Sequence, residues 1–178
     1  GVLPPISRLT PAQAEYWFLL GYTAKVAGTE LGVTKPTATF SACFGLPFMP
    51  LHPTVYSKLL REKMVKHNVN VWLINTGWSG GPYGVGNRFS IKYTRAMLAA
   101  ALDDKLNDVG FKRHDIFNLD MPTSCPNVPE DVLDPRNTWS DGAAYDKQAK
   151  ELAALCRDGF KQFSDAVTDD VRESGPKA

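Results

Sequence analysis

Arg88, Phe89 and Thr94 flank the end of the chain's richest glycine segment, Gly77 to Gly86, which holds five glycines and one proline. Glycines ahead of a helix let backbone N–H groups approach a phosphate, and the helix N-terminus favours an anion. A phosphate cradle of the Gly-x-x-x-x-Gly-Lys-Ser/Thr type needs a lysine and a metal-binding hydroxyl straight after its second glycine. The nearest match runs from Gly81 to Gly86 and continues with Asn87 and Arg88, so both are missing. On pattern alone the segment reads as a tight structural loop that needs unusual backbone angles. Arg88 keeps three readings. It is a solvated surface arginine, a guanidinium stacked on an aromatic ring, or a grip on a phosphate. An arginine just before a helix start does not favour that helix's dipole. Thr94 is read first as a helix cap and second as a hydroxyl that reaches a ligand.

Other chemistries lack their residues. Ser41-Ala42-Cys43 has no Gly-x-Ser-x-Gly elbow around it. The acid pairs Asp103-Asp104 and Asp169-Asp170 fall at expected helix ends, where charge runs serve solubility. Cys43, Cys125 and Cys156 are widely spaced, with no Cys-x-x-Cys pair, and read as free thiols of a reducing compartment. His52, His67 and His114 are scattered without a helical pair, so no metal site is expected from this segment alone.

The elements that must position these residues follow from local signals. Thr10-Pro11-Ala12-Gln13 predicts a helix start with a capping box, and Gly21 predicts its stop. Residues 24–39 are interrupted by Gly28, Gly32 and Pro36 and read as a long loop. Thr39 to Phe44 reads as a short strand. Pro53 to His67 reads as a helix with Val55, Leu59, Leu60 and Met64 on its apolar face. Val69 to Asn75 is almost continuously apolar and reads as a buried strand. Thr94 to Leu102 predicts a helix, and Ile116 to Leu119 a strand. Pro122 to Pro135 looks irregular. Tyr145 to Phe163 predicts the last helix, with a stripe of Ala149, Leu152, Leu155, Cys156, Phe160 and Phe163. The polar tail from Thr168 is expected to fray. Strands and helices mix, so the class is α/β or α+β.

Bulk properties bound the rest. The 178 residues suit one domain, and the 43% apolar share is enough for a core. A net charge of +1 argues against a nucleic-acid surface, which needs clustered excess Lys and Arg. No apolar run of about 18 residues exists, so no membrane span is expected. No basic-then-apolar leader opens the chain, which starts at Gly1 rather than Met.

Several segments taken together, in order, carry a resemblance. They are Gly1-Val-Leu-Pro-Pro5, Gly21-Tyr-Thr-Ala-Lys-Val-Ala-Gly-Thr-Glu30, Pro36-Thr-Ala-Thr-Phe-Ser-Ala-Cys-Phe-Gly45 and Asn75-Thr-Gly-Trp78. Gly84-Val-Gly-Asn-Arg88, Ser90-Ile-Lys-Tyr-Thr-Arg95 and Leu133-Asp-Pro-Arg-Asn-Thr138 complete the set. The chain resembles the ATP-dependent phosphoenolpyruvate carboxykinases over essentially its whole length. The resemblance implies an α/β fold with a mixed sheet and flanking helices, forming residues 1–178 of the carboxyl-terminal, nucleotide-binding side of such an enzyme. It implies conversion of oxaloacetate and ATP to phosphoenolpyruvate, carbon dioxide and ADP, in gluconeogenesis and in the cytosol, assisted by Mg²⁺ and Mn²⁺. It places Arg88, Phe89 and Thr94 at the adenine end of ATP, with Phe89 acting mainly through its backbone. It makes 25–40 a mobile lid and 168–178 a polar tail. The family's P-loop, metal ligands and oxaloacetate-binding arginine are expected upstream of Gly1, in an amino-terminal part, so no catalytic residue is expected in this segment and the isolated segment is expected to be inactive. One departure is visible: the family often has Lys where this chain has Asn87, which would lower nucleotide affinity.

Overall fold

The computed structural model describes residues 1–25 and 36–177. It divides into two compact units: residues 1–8 with 72–152, and residues 9–71 with 153–177. The fold is α/β, a sheet with flanking helices.

The first unit is built on a four-stranded sheet in the order β4-β1-β8-β7. Its strands are β1 (Ile6–Leu9), β4 (Val71–Ile74), β7 (Phe111–Arg113) and β8 (Asp120–Pro122). β8 pairs antiparallel with both neighbours, Arg8 facing Asp120 on one side and Lys112 facing Met121 on the other. β1 follows Pro4-Pro5 and was not foreseen. It is a central strand, and its brevity leaves no alternation to read. The expected strand Ile116–Leu119 is instead the turn between β7 and β8. His114 donates its amide to the Leu119 carbonyl, and Asn118 takes a left-handed conformation. The apolar residues there are buried by the turn, not by strand pairing. Helix α3 (Ile91–Leu102) lays Met97 and Ala100 into a core of Ile6, Phe89, Leu106 and Leu133, against which Trp72 and Ile74 also pack. The stretch Pro122–Pro135 is irregular apart from a single turn, α4 (Glu130–Leu133). β4 is half-buried along its length, not fully buried as expected.

The second unit centres on α1 (Pro11–Leu20). Both capping-box bonds form, from the Gln13 amide to Thr10 Oγ1 (3.2 Å) and from the Thr10 amide to Gln13 Oε1 (2.9 Å). Gly21 ends the helix at φ 56°, a left-handed conformation that glycine adopts without a Cβ penalty. α1 is buried almost all round, as befits a central helix. The Tyr16 ring stacks on Phe160 at 4.0 Å. The expected loop 24–39 is a correction at both ends. Tyr22–Lys25 (β2) and Thr37–Phe40 (β3) pair antiparallel, from Tyr22–Phe40 to Lys25–Thr37. The middle of the expected 25–40 lid, residues 26–35, lies outside the described residues. The strand expected over Thr39–Phe44 stops at Phe40. Beyond it Ala42–Phe44 form a 3₁₀ turn with Cys43 and Phe44 both at positive φ.

Helix α2 (Pro53–His67) has the expected bounds, but its inner face differs. Thr54, Ser57 and Met64 are buried, whereas Val55 and Leu59 are exposed. The polar side chains turn inward because Ser57 donates to the buried carboxylate of Glu15 (3.0 Å). α5 (Gly142–Phe160) carries the expected stripe, except that Leu155 is exposed and Ala153 takes the inner position. A 3₁₀ segment (Lys161–Ala166) follows it, so Phe163 is buried beyond the α-helix proper. The carboxyl-terminal segment is packed, not frayed. α6 (Asp169–Arg172) buries Val171 completely, Ser174 Oγ donates to the Ala12 carbonyl (3.1 Å), and Asp170 pairs with Arg61.

Candidate functional site

The glycine segment folds as a hairpin. β5 (Trp78–Ser79) pairs antiparallel with β6 (Asn87–Arg88), Trp78 opposite Arg88 and Ser79 opposite Asn87. Three of its backbone donors are engaged within the fold. Gly80 donates to Thr138 Oγ1 (3.1 Å), and Val85 and Gly86 both donate to the Pro82 carbonyl (3.1 and 2.9 Å). A cradle for phosphate would leave such N–H groups convergent and open. Here these three close the turn. Gly86 is required by contact: a Cβ there would lie 2.5 Å from the Ser79 carbonyl oxygen.

The register fixes Arg88. Its side chain is exposed, and its guanidinium carbon lies 5.6 Å from the centre of the Trp78 ring. Trp78 is held edge-on by Tyr83 at 5.2 Å. No carboxylate among the described residues pairs with Arg88. Of the three readings open from sequence, the aromatic stack is the one with a partner in place. Phe89 contributes in two directions. Its ring is in the core, and its amide donates to the Gly77 carbonyl (2.9 Å), closing the base of the hairpin next to the Trp78–Arg88 pair. The Phe89 N–H is thereby occupied. Thr94 is not the helix cap. Ser90 occupies that position without a side-chain bond, and Thr94 lies inside the first turns of α3, half-buried, its amide bonded to the Ser90 carbonyl (3.0 Å). The helix starts three residues earlier than expected, and that removes the capping reading. Arg88 and Thr94 are thus carried by one hairpin arm and the helix that follows it. Asn87 is exposed beside Arg88. The sequence alone gives Trp78 no role. The signal for it was the spacing of the glycine loop, which sets which residues face each other across the hairpin.

The remaining titratable groups are committed to structure. His114 Nδ1 accepts the amides of Ile116 and Phe117 (3.2 Å each), so Nε2 carries the proton and donates to Tyr145 Oη (2.6 Å). Tyr145 in turn donates to the Val2 carbonyl (2.8 Å). Burial lowers the His114 pKa from its ordinary value and raises that of Tyr145. Burial also pushes the thiols of Cys43 and Cys156 up, to about 11 and about 12, and raises Cys125. All three are free. Among the described residues no group of three or more His, Cys, Asp or Glu side chains is placed to hold a metal ion. No helix of the described residues is long and apolar enough to cross a membrane.

The phosphoenolpyruvate carboxykinase family model matches residues 1–131, most of the chain, so the chain belongs to the phosphoenolpyruvate carboxykinase family. The phosphoenolpyruvate carboxykinase (ATP) of Christiangramia forsetii is 57% identical over 99% of this chain and 33% of its own length. That of Thermus thermophilus is 54% identical over 99% of this chain and 34% of its own length. That of Pelobacter propionicus is 60% identical over 96% and 32%. The chain spans about a third of the length of these curated relatives.

Proposed function

We propose that this chain is the adenine-side portion of the carboxyl-terminal nucleotide-binding domain of an ATP-dependent phosphoenolpyruvate carboxykinase. The complete enzyme converts oxaloacetate and ATP to phosphoenolpyruvate, carbon dioxide and ADP, in gluconeogenesis and in the cytosol. The observation that carries the reading is the exposed Arg88 guanidinium, backed by Trp78 and free of any carboxylate among the described residues. A planar cation held over one aromatic ring presents its other face to a second ring, and a purine is such a ring. Thr94 adds a hydroxyl from the start of α3. Phe89 positions Arg88 through its bond to Gly77, and its side chain belongs to the core.

Phosphoryl transfer needs a phosphate cradle and charge neutralisation by divalent metal. The hairpin has Asn87 and Arg88 where such a cradle carries Lys and Ser/Thr, so the cradle is assigned to the remaining polypeptide. Mg²⁺ and Mn²⁺ would be held by residues of the remaining polypeptide, and no step through them is assigned to these residues. The chain alone is therefore expected to show no carboxykinase turnover. The test is a coupled assay on the complete polypeptide and on the 178-residue chain. Arg88→Ala in the complete enzyme should raise the KM for ATP and leave that for oxaloacetate unchanged. Turnover by the chain alone, or an unchanged KM for ATP, would overturn the reading.

A further inference from the structure

Arg88 is carried by a hairpin with two facing pairs, Trp78 with Arg88 and Ser79 with Asn87. A two-stranded hairpin is marginal at best on its own, so its place is set by what grips it from outside. At the base, the Gly77 amide donates to Asn75 Oδ1 (2.9 Å), and Asn75 Nδ2 donates to the Leu3 carbonyl (2.9 Å). Beyond the other end of β5, the Gly80 amide donates to Thr138 Oγ1 (3.1 Å). Thr138 lies 58 residues further along the chain and in the same compact unit.

Thr138 is itself held. Its hydroxyl donates to the Pro135 carbonyl (2.7 Å), which leaves the oxygen's lone pairs for Gly80. It closes the 3₁₀ turn Pro135–Thr138, whose start is capped by Asp134 Oδ1 accepting the Arg136 amide (3.1 Å). Arg136 pairs with Asp146 of α5 through two bonds (2.9 and 3.0 Å), an arrangement that fixes orientation as well as distance. Gly80 meets the turn with its backbone too. It stands at φ 75°, and a Cβ there would lie 3.2 Å from the Thr138 carbonyl oxygen. Bonds therefore run from α5 through the turn and the Thr138 hydroxyl to the arm that bears Trp78, the ring beside the Arg88 guanidinium.

We propose that Thr138 is a positioning residue for ATP. Its hydroxyl holds the β5 arm in place, and the arm holds the Trp78 ring that sets the plane of the guanidinium. A group that recognises a flat ring must be kept close to its productive geometry by supporting hydrogen bonds. Thr138 acts on the base end of the nucleotide through the hairpin and takes no part in phosphoryl transfer. The inference rests on the reading of Arg88 as the adenine-side contact.

The test uses the complete carboxykinase polypeptide. Dissociation constants for ATP and for inorganic tripolyphosphate are measured on wild type, Thr138→Val, Thr138→Ser, Arg88→Ala and the Thr138→Val/Arg88→Ala double variant. Thr138→Val should weaken ATP about five- to tenfold, less than outright loss of the arginine, because a displaced group forfeits only part of its contact. Tripolyphosphate, which has no base, should bind within about twofold of wild type. Thr138→Ser keeps the oxygen and should restore ATP binding. In the Arg88→Ala background Thr138→Val should add nothing, since its effect passes through the arginine. Thr138→Ala also removes the oxygen, without placing a second methyl beside Gly80, and is read the same way should the valine variant not fold. Wild-type affinity for ATP in the variants that lack the oxygen overturns the inference. So does an equal loss for ATP and tripolyphosphate, or a loss that simply adds to that of Arg88→Ala. Arg88→Ala with unchanged ATP affinity removes the functional reading itself, whereas a weakened Arg88→Ala beside an unaffected Thr138→Val refutes this inference alone.

Discussion

Replacing Arg88 by Ala separates a ligand contact from a structural one, because the geometry assigns the two roles different magnitudes. In the structure the side chain is exposed, with its guanidinium carbon 5.6 Å from the centre of the Trp78 ring. An exposed cation–π pair contributes about 0.5–1 kcal/mol to stability. For a chain of 178 residues that moves the thermal midpoint by no more than about 4 °C. If a purine stacks on it as proposed, the same guanidinium would be sandwiched and desolvated, where cation–π contacts reach about 2 kcal/mol and hydrogen bonds to charged groups about 1.5–3 kcal/mol. Loss of about 1.4–2.8 kcal/mol corresponds to a 10- to 100-fold weaker complex. Isothermal titration of ATP into the complete carboxykinase polypeptide, wild type and Arg88→Ala, reads this directly. Arg88→Lys retains the charge without the planar face and should fall between the two. An ATP Kd within twofold of wild type for Arg88→Ala refutes the assignment. A midpoint lowered by much more than 4 °C would instead make Arg88 a structural residue.

Three further outcomes follow from the packing. Tyr145→Phe leaves His114 Nε2–H and the Val2 carbonyl without their partner, and at about 1–3 kcal/mol for each orphaned buried group the urea midpoint should fall by an amount equivalent to about 2–6 kcal/mol. Because burial lowers the folded-state pKa of His114, the folded form binds fewer protons than the unfolded one. Its contribution is therefore complete above the unfolded value of about 6.5 and is lost as pH falls below it. Urea midpoints should drop as pH falls below about 6.5, and His114→Gln should flatten that slope. Gly21→Ala places a Cβ 1.7 Å from the Ser41 carbonyl oxygen at a left-handed φ. It should cost more than the ~1–2 kcal/mol of the backbone angle alone, and a thermal midpoint within 2 °C of wild type would contradict the assigned contact.

Local signals in the sequence reached the structure intact where a few neighbouring residues determine the outcome. Thr10, Pro11 and Gln13 cap α1, the helix read over Pro53–His67 has those bounds, and the glycines of 77–86 make a turn. Signals failed where a distant partner decides. β1 is short, and only pairing with β4 and β8 makes it a strand. Ile116 to Leu119 has strand-like composition but lies where two strands reverse. Val55 and Leu59 share a helix face by periodicity, yet the buried face is chosen by Glu15, whose carboxylate needs Ser57 and Arg61. At the candidate site, Arg88 was visible as a residue type in an unusual place. Its ring partner was not, because which residues face each other across a hairpin depends on the hairpin's register.

The three buried sulfhydryls have a practical meaning. Reagents that alkylate cysteine attack the thiolate, and with values near 11 and 12 for Cys43 and Cys156 almost none is present at neutral pH. None of the three is at the surface. The chain therefore carries its own silent reporters. Cys43 and Cys156 sit in one compact unit and Cys125 in the other. The order in which they become labelled during gentle denaturation gives the order in which the two units unfold, with no engineered probe.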